Sequence, residues 1–238
     1  MFQLRTVPGP AQRSQPRVAA CIVTRAGRER YLQRTLNALR RCDITTLLWV
    51  NGASSHKQAD GHSYYHSHPF NVGQHVAHNE MLDECVRLDV DWHIRVDDDC
   101  WLGTRKWLPR LLDAQEAIKR QSNKYAVLGI DIGGLDNPPV TTQAYELGRE
   151  RLERVDVLGG IFRMSHMSIM RYFRWDERLP MGFGEASQFA SFAKSIDADM
   201  FRVSTVKASH GESTKKQQQV NEAWSYEHDM LQYTPLGL

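Results

Sequence analysis

Between residues 18 and 50 the chain reads strand, helix, strand, and that order restricts the fold more than any other stretch. Val18-Ala19-Ala20-Cys21-Ile22-Val23 is a continuous apolar run bounded by Pro16 and Gly27, the pattern of a strand buried on both faces. Leu32, Leu36 and Leu39 then recur at helical spacing, and Arg40-Arg41 supply the charge that a helix C-terminus prefers. Residues 46–50 form a second strand ending at Asn51-Gly52. Two strands joined by a helix pair in parallel through a right-handed crossover. Parallel sheets need helices on both faces, so the expected class is α/β with a mostly parallel central sheet.

A chain of 238 residues can bury such a core as one domain. Its net charge of +2 is too small to argue for nucleic acid or membrane by itself. No apolar run approaches the length that spans a bilayer, and the first 17 residues lack the apolar core of a signal peptide. With Pro8, Gly9, Pro10 and Pro16, residues 1–16 read as an extended or flexible arm. Cys21 lies in a strand pattern and Cys85 in a helix pattern; with Cys42 and Cys100 they show no close pairing or metal spacing. Buried free thiols fit a reducing, cytoplasmic setting.

The next landmark is Trp92-His93-Ile94-Arg95-Val96-Asp97-Asp98-Asp99. The alternation of Trp92, Ile94 and Val96 with polar residues is that of a strand. The strand runs into three carboxylates, and if the chain stays extended, Asp97 and Asp99 project to one side about 6–7 Å apart. Taken alone, the triplet is more commonly a solvated acidic turn. At the carboxyl end of a strand it also suits a hard divalent cation and a phosphate ligand.

Between these blocks lies a polar, histidine-rich segment holding His56, His62, His66, His68, His75 and His78. His66-x-His68 on an extended segment could share a metal. No Cys or carboxylate stands beside the pair, so a zinc site is not expected. Val76, Met81, Cys85 and Leu88 mark a helix, as do Leu108, Leu111, Leu112 and Ile118 farther on. A strand is expected over 125–130, a loop over 131–140, and a strand over 155–162 interrupted by Gly159-Gly160. A helix is expected over 164–173, another along Phe189, Phe192, Ala193 and Ile196, and a last short strand over 200–205.

Together these landmarks resemble a glycosyltransferase of the GT-A fold, close to family 2, over roughly residues 17–211. Tyr31-Leu32-x-x-Thr35-Leu36 is similar to the family's first nucleotide-binding unit. Asn71-x-Gly73 with Asn79 is similar to its Asn-x-Gly…Asn stretch. Asp97-Asp98-Asp99-x-Trp101-Leu102 resembles its Asp-x-Asp segment, and Gly159-Gly160, Trp175-Asp176-Glu177-Arg178 and Gly184-Glu185 its acceptor-side block.

The resemblance implies a nucleotide-binding half over 17–120, an acceptor half over 121–212, and a tail over 213–238 that is a candidate lid. It implies Mn²⁺ or Mg²⁺ on Asp99, with Asp97 on the ribose or the metal and His210 as a further ligand. It also places donor contacts at Thr24, Arg25, Asn51, Asn71, Gly73, Asn79, Asp98, Gly159 and Gly160, with Lys215 closing over the diphosphate. Asn51 stands where the family usually carries Asp, so the base is left open. The family's base is the Asp of a Glu-Asp pair, whereas this chain reads Glu185-Ala186. Glu185 and Asp176 are therefore the candidate bases. The acceptor is a glycan by default, with a modified nucleic-acid base as the alternative. The chain is read as a metal-dependent, inverting transferase; a non-catalytic nucleotide-sugar or glycan-binding relative is the second reading. The arginines near the amino end, Arg28 among them, read as a solvated face.

Overall fold

The expected opening is present: β1 (Val18–Arg25), α1 (Glu29–Leu39) and β2 (Thr45–Asn51) form strand, crossover and parallel strand. The register runs from Ala19 opposite Thr45 to Arg25 opposite Asn51, so both strands end at one level. The computed structural model describes residues 15–52, 61–133, 135, 139–179 and 184–211. Most of the amino-terminal arm, His56, Lys215 and the proposed lid lie outside the described residues.

β3 (Tyr64–Ser67) pairs in parallel outside β2, α2 (Gln74–Arg87) follows, and β4 (Trp92–Val96) pairs in parallel with the other side of β1. Next come β5 (Cys100–Leu102), α3 (Trp107–Ser122), β6 (Val127–Gly133), β7 (Thr141–Leu147) and β8 (Glu150–Val155). The chain ends with β9 (Phe162–His166), α4 (Met167–Met170), α5 (Glu185–Ser195) and β10 (Met200–His210). Among the described residues they make one sheet in the order β3-β2-β1-β4-β9-β6-β10-β8-β7, with β5 pairing β10. The amino-terminal half is parallel, whereas β9 runs antiparallel to both β4 and β6 and makes the carboxyl-terminal half mixed.

Alternate residues of each strand feed two cores. Ala20 and Ile22 of β1 face α1 and α3, packing with Leu36, Leu39, Leu108 and Leu111. Ala19 and Cys21 face the opposite layer, with Met81 and Cys85 of α2, Ile169 of α4 and Phe189 of α5. Layers on both sides explain why His93 and Arg95 of β4 are as buried as Trp92 and Ile94. All four cysteines are free. No helix among the described residues is long and apolar enough to cross a membrane.

Four expectations change. The expected 131–140 loop starts as strand, because β6 runs on to Gly133 beside β10. The 155–162 strand is the last residue of β8, a loop, and the first residue of β9. The 164–173 helix shrinks to α4, because Met164 is drawn into β9 opposite Ile94; pairing between two core strands overrides local helix propensity. The last strand continues past 205 to His210, since β6 and β5 extend its pairing.

Candidate active site

The parallel strands deliver their carboxyl ends to one cavity. It is lined by Thr24 and Arg25 of β1, Asn51 of β2, and Asp97, Asp98 and Asp99 after β4. Asn71 and Gln74 at the start of α2, Gly160 from the loop before β9 and Glu185 at the start of α5 complete it.

The triplet does not continue β4 in extended form. The Cys100 amide donates to the Asp97 carbonyl at 3.1 Å, so the chain turns at 98–99 and gives each carboxylate a different environment. Asp98 is buried and accepts from Thr24 Oγ1 at 2.6 Å and from the Arg28 Nε at 2.8 Å. Asp99 lies between a guanidinium and an imidazole, with Oδ2 at 2.6 Å from Arg28 Nη2 and Oδ1 at 3.1 Å from His210 Nε2. Thr35 of α1 fastens the turn from below, its hydroxyl donating to the carbonyls of Asp98 at 2.8 Å and Cys100 at 3.2 Å.

His210 arrives from the far end of the chain through sheet register. β5 and β10 pair antiparallel with Cys100 opposite His210, which sets the imidazole beside Asp99. Gly211 closes this corner: a Cβ there would lie 2.9 Å from side-chain atoms of Asp99, Trp101 and Tyr31. One ligand atom each from Asp97, Asp99 and His210 lie within 4.8 Å of one another.

Electrostatics follow from this crowding. Burial, reinforced by Glu185, Asp99 and Asp98, raises the Asp97 carboxyl to about 7 against the opposing pull of Arg95. Burial also raises Asp98, although Arg28 and Thr24 work against it. Asp99 is held below its ordinary value: burial opposes this, but His210 and Arg28 outweigh it. Burial disfavours the Arg28 charge too, yet Asp98 and Asp99 hold it above its usual value. Two carboxylates and an imidazole converging beside a third, buried carboxylate fit a divalent cation, whose charge would relieve the repulsion that raises Asp97.

The acceptor-side residues separate. Glu185 is buried, one oxygen accepting from Arg95 Nη2 and the other from Arg163 Nη2, each at 2.6 Å. Arg95 also lies 3.3 Å from Asp97, and its Nε donates to His78 Nε2 at 3.0 Å. Gly160 makes room for this clamp, since a Cβ there would lie 2.3 Å from Arg95 Nη1. Asp176 is not brought to the cavity. Its carboxylate binds Arg178, whose hydrogen bonds hold it down to about 2.

Of the expected donor contacts, Gly73, Asn79 and Gly159 also fall outside the cavity lining. The Asn79 amide is spent on the backbone carbonyl and amide of Trp175, at 2.9 and 3.0 Å, tying α2 to the loop beneath it. Asn71 and Gly73 shape the wall instead: Asn71 Oδ1 accepts from the Gly73 amide at 3.0 Å, and Gly73 begins α2 at φ 88°. Asn51 Nδ2 donates to the Gly73 carbonyl at 3.1 Å, while its buried Oδ1 has no partner among the described residues. Sequence reading missed Gln74 and Arg95, which line the cavity and bind Glu185, and Arg28: expected on a solvated face, it is buried in the site. Its spacing from Thr24 across the strand-end loop was the available signal.

No family model and no curated protein sequence matches this chain. Among solved structures it is similar to GalNAc-T7 with UDP, GalNAc and Mn²⁺, at TM-score 0.63 and 10% identity over 82% of this chain. The match covers 43% of the GalNAc-T7 chain, less than half of its length. It is also similar to A197 from STIV, at TM-score 0.51 and 15% identity, covering 83% of this chain and 86% of that one. At such identities the likeness is one of fold alone, a Rossmann-like α/β architecture.

Proposed function

We propose that the chain is a glycosyltransferase that uses a nucleotide-sugar donor and Mn²⁺ or Mg²⁺, related to family 2. The observation that carries this reading is the convergence of Asp97, Asp99 and His210 within 4.8 Å, at the carboxyl end of the parallel strands. When bound there, the cation supplies Lewis-acid stabilisation of the charge that builds on the leaving diphosphate.

The chain's own residues divide the remaining work. Arg28 and Thr24 hold Asp98, so the middle carboxylate positions the turn rather than the donor. Arg25, on the cavity rim, supplies a cation toward the phosphates. The unpartnered Asn51 Oδ1 is an acceptor suited to a base that presents an N–H, as uracil does. Gly160 leaves the Arg95–Glu185 clamp the space that a Cβ would fill, which keeps the clamp at the cavity wall. Glu185, the carboxylate of α5 that lines the cavity, is the proposed base toward an acceptor hydroxyl, a glycan's by default.

Titration calorimetry with UDP tests the reading. Binding is expected to require Mn²⁺, to vanish in EDTA and to weaken at least tenfold in Asp99→Asn. UDP bound equally well in EDTA would overturn it. A second reading, a nucleotide-sugar-binding relative without turnover, is favoured by the two guanidiniums on Glu185 and by Ala186 beside it. Metal-dependent UDP binding with no transfer or hydrolysis of any UDP-sugar would select that reading.

A further inference from the structure

On the opposite edge of the parallel half, β3 carries His66, and His68 follows just past its end, its amide donating to the Val50 carbonyl at 2.9 Å. With a period of two, both imidazoles project to the face covered by α2, their rings edge-on with centroids 4.5 Å apart. The carboxylate that the sequence did not offer beside them comes from that helix. Glu80 Oε2 lies 2.9 Å from His68 Nε2. One ligand atom each from His66, His68 and Glu80 lie within 4.8 Å of one another.

The same Glu80 oxygen accepts from Trp49 Nε1 at 2.9 Å, and Trp49 is the buried β2 residue paired with His66 in the sheet. An ion pair would account for His68 and Glu80 alone. It gives no role to a second imidazole packed against the first, nor to an indole N–H that fixes the carboxylate from behind.

We propose that His66, His68 and Glu80 form a second divalent-cation site, one that takes Zn²⁺. Two imidazoles and one carboxylate are borderline donors that favour zinc over magnesium, unlike the carboxylate-rich corner at Asp99. Zinc bonds of about 2.0–2.2 Å place tetrahedral donors about 3.4 Å apart, which small rotamer changes reach from this arrangement. The Trp49 N–H is the outer hydrogen bond that orients a metal-bound carboxylate. Bound zinc pins the edge strand β3 to α2, the helix whose first residue, Gln74, lines the active cavity. The site is independent of the glycosyltransferase reading.

Titration of the full chain with Zn²⁺, and with Co²⁺ followed by its visible absorption, tests the proposal. Asp99→Asn is included to silence the acidic corner. That variant is expected to keep one zinc equivalent and the cobalt band. Adding His66→Gln or His68→Gln should weaken Zn²⁺ at least tenfold and abolish the band. Trp49→Phe, which removes only the N–H, should weaken it about tenfold with unchanged circular dichroism. If Asp99→Asn does not fold, the wild-type chain is compared with a His66→Gln/His68→Gln variant. Loss of one zinc equivalent then supports the site. Unchanged stoichiometry and affinity after both histidine changes, in a folded chain, would overturn it.

Discussion

His93 shows what burial asks of a single side chain. It is 2% exposed in the middle of β4, and burial, aided by the charges of Arg163 and Arg95, lowers its pKa from 6.5 to about 3. His166 is lowered to about 4, again mainly by burial. Folded, both stay neutral where the unfolded chain binds protons. The stability they allow is complete above pH 6.5 and is lost as pH falls from there through about 4 and 3. Asp97 acts the other way: its raised value means that stability falls as pH climbs from its unfolded value to about 7. Urea unfolding across this range should show the histidine effect directly. His93→Gln is expected to flatten the acid limb by up to about 1.4 kcal/mol per pH unit while leaving it unchanged above pH 7. At this scale the sequence revealed the residues that converge because they lie together, such as the carboxylate triplet. It hid Arg28, because an arginine's burial depends on acids some seventy positions away. It assigned Asn79 to the donor although the amide binds Trp175, since a motif conveys residue type and not direction.

At the scale of elements, α1 is more than a crossover between β1 and β2. Its apolar stripe seats it on the sheet, and Thr35, fully buried within that stripe, reaches the two carbonyls that flank the acidic turn. Thr35→Val keeps the shape and removes the donor. It is expected to cost about 1–3 kcal/mol in urea unfolding, the penalty of stranding buried carbonyls. It should also weaken Mn²⁺ binding, because Asp97 and Asp99 are positioned by that turn; unchanged affinity would mean that β5 pairing alone holds the corner. Long apolar or periodic segments were legible: β1, β2, β4, α2, α3 and α5 all form where their patterns place them. The misread elements were those whose identity is decided by a neighbour. β9 has a helical composition around Met164 but is strand because β4 and β6 flank it. β3 and β5 are too short to announce themselves without their partners.

For the molecule as a whole, the seam between the parallel and mixed halves is where β9 meets β4, and a charged cluster is buried there. Arg95 from β4, Arg163 from β9 and Glu185 from α5 are 1%, 2% and 7% exposed. Removing one member of such a cluster strands the others' charge, so Glu185→Ala is expected to cost about 3–5 kcal/mol in chemical denaturation. Glu185→Gln retains acceptor geometry for one guanidinium and should cost less. This coupling decides how a test of Glu185 as base is read: turnover lost with UDP and Mn²⁺ binding intact supports a base, whereas turnover and binding lost together mark a positioning role.

β10 carries a consequence for how such a chain can change in length. Its register against β6 slips between Val203, opposite Ile130, and Lys207, opposite Asp131, so β10 advances four residues while β6 advances one. Paired residues face the same side of a sheet, so Val203 and Lys207 face opposite sides although four positions apart, and the bulge breaks the alternation. The facing of His210 is set downstream of it, by pairing with Cys100 of β5. A residue gained or lost within the bulge is therefore expected to be taken up there, as slack in a cable takes up a change of length, and to leave the imidazole beside Asp99.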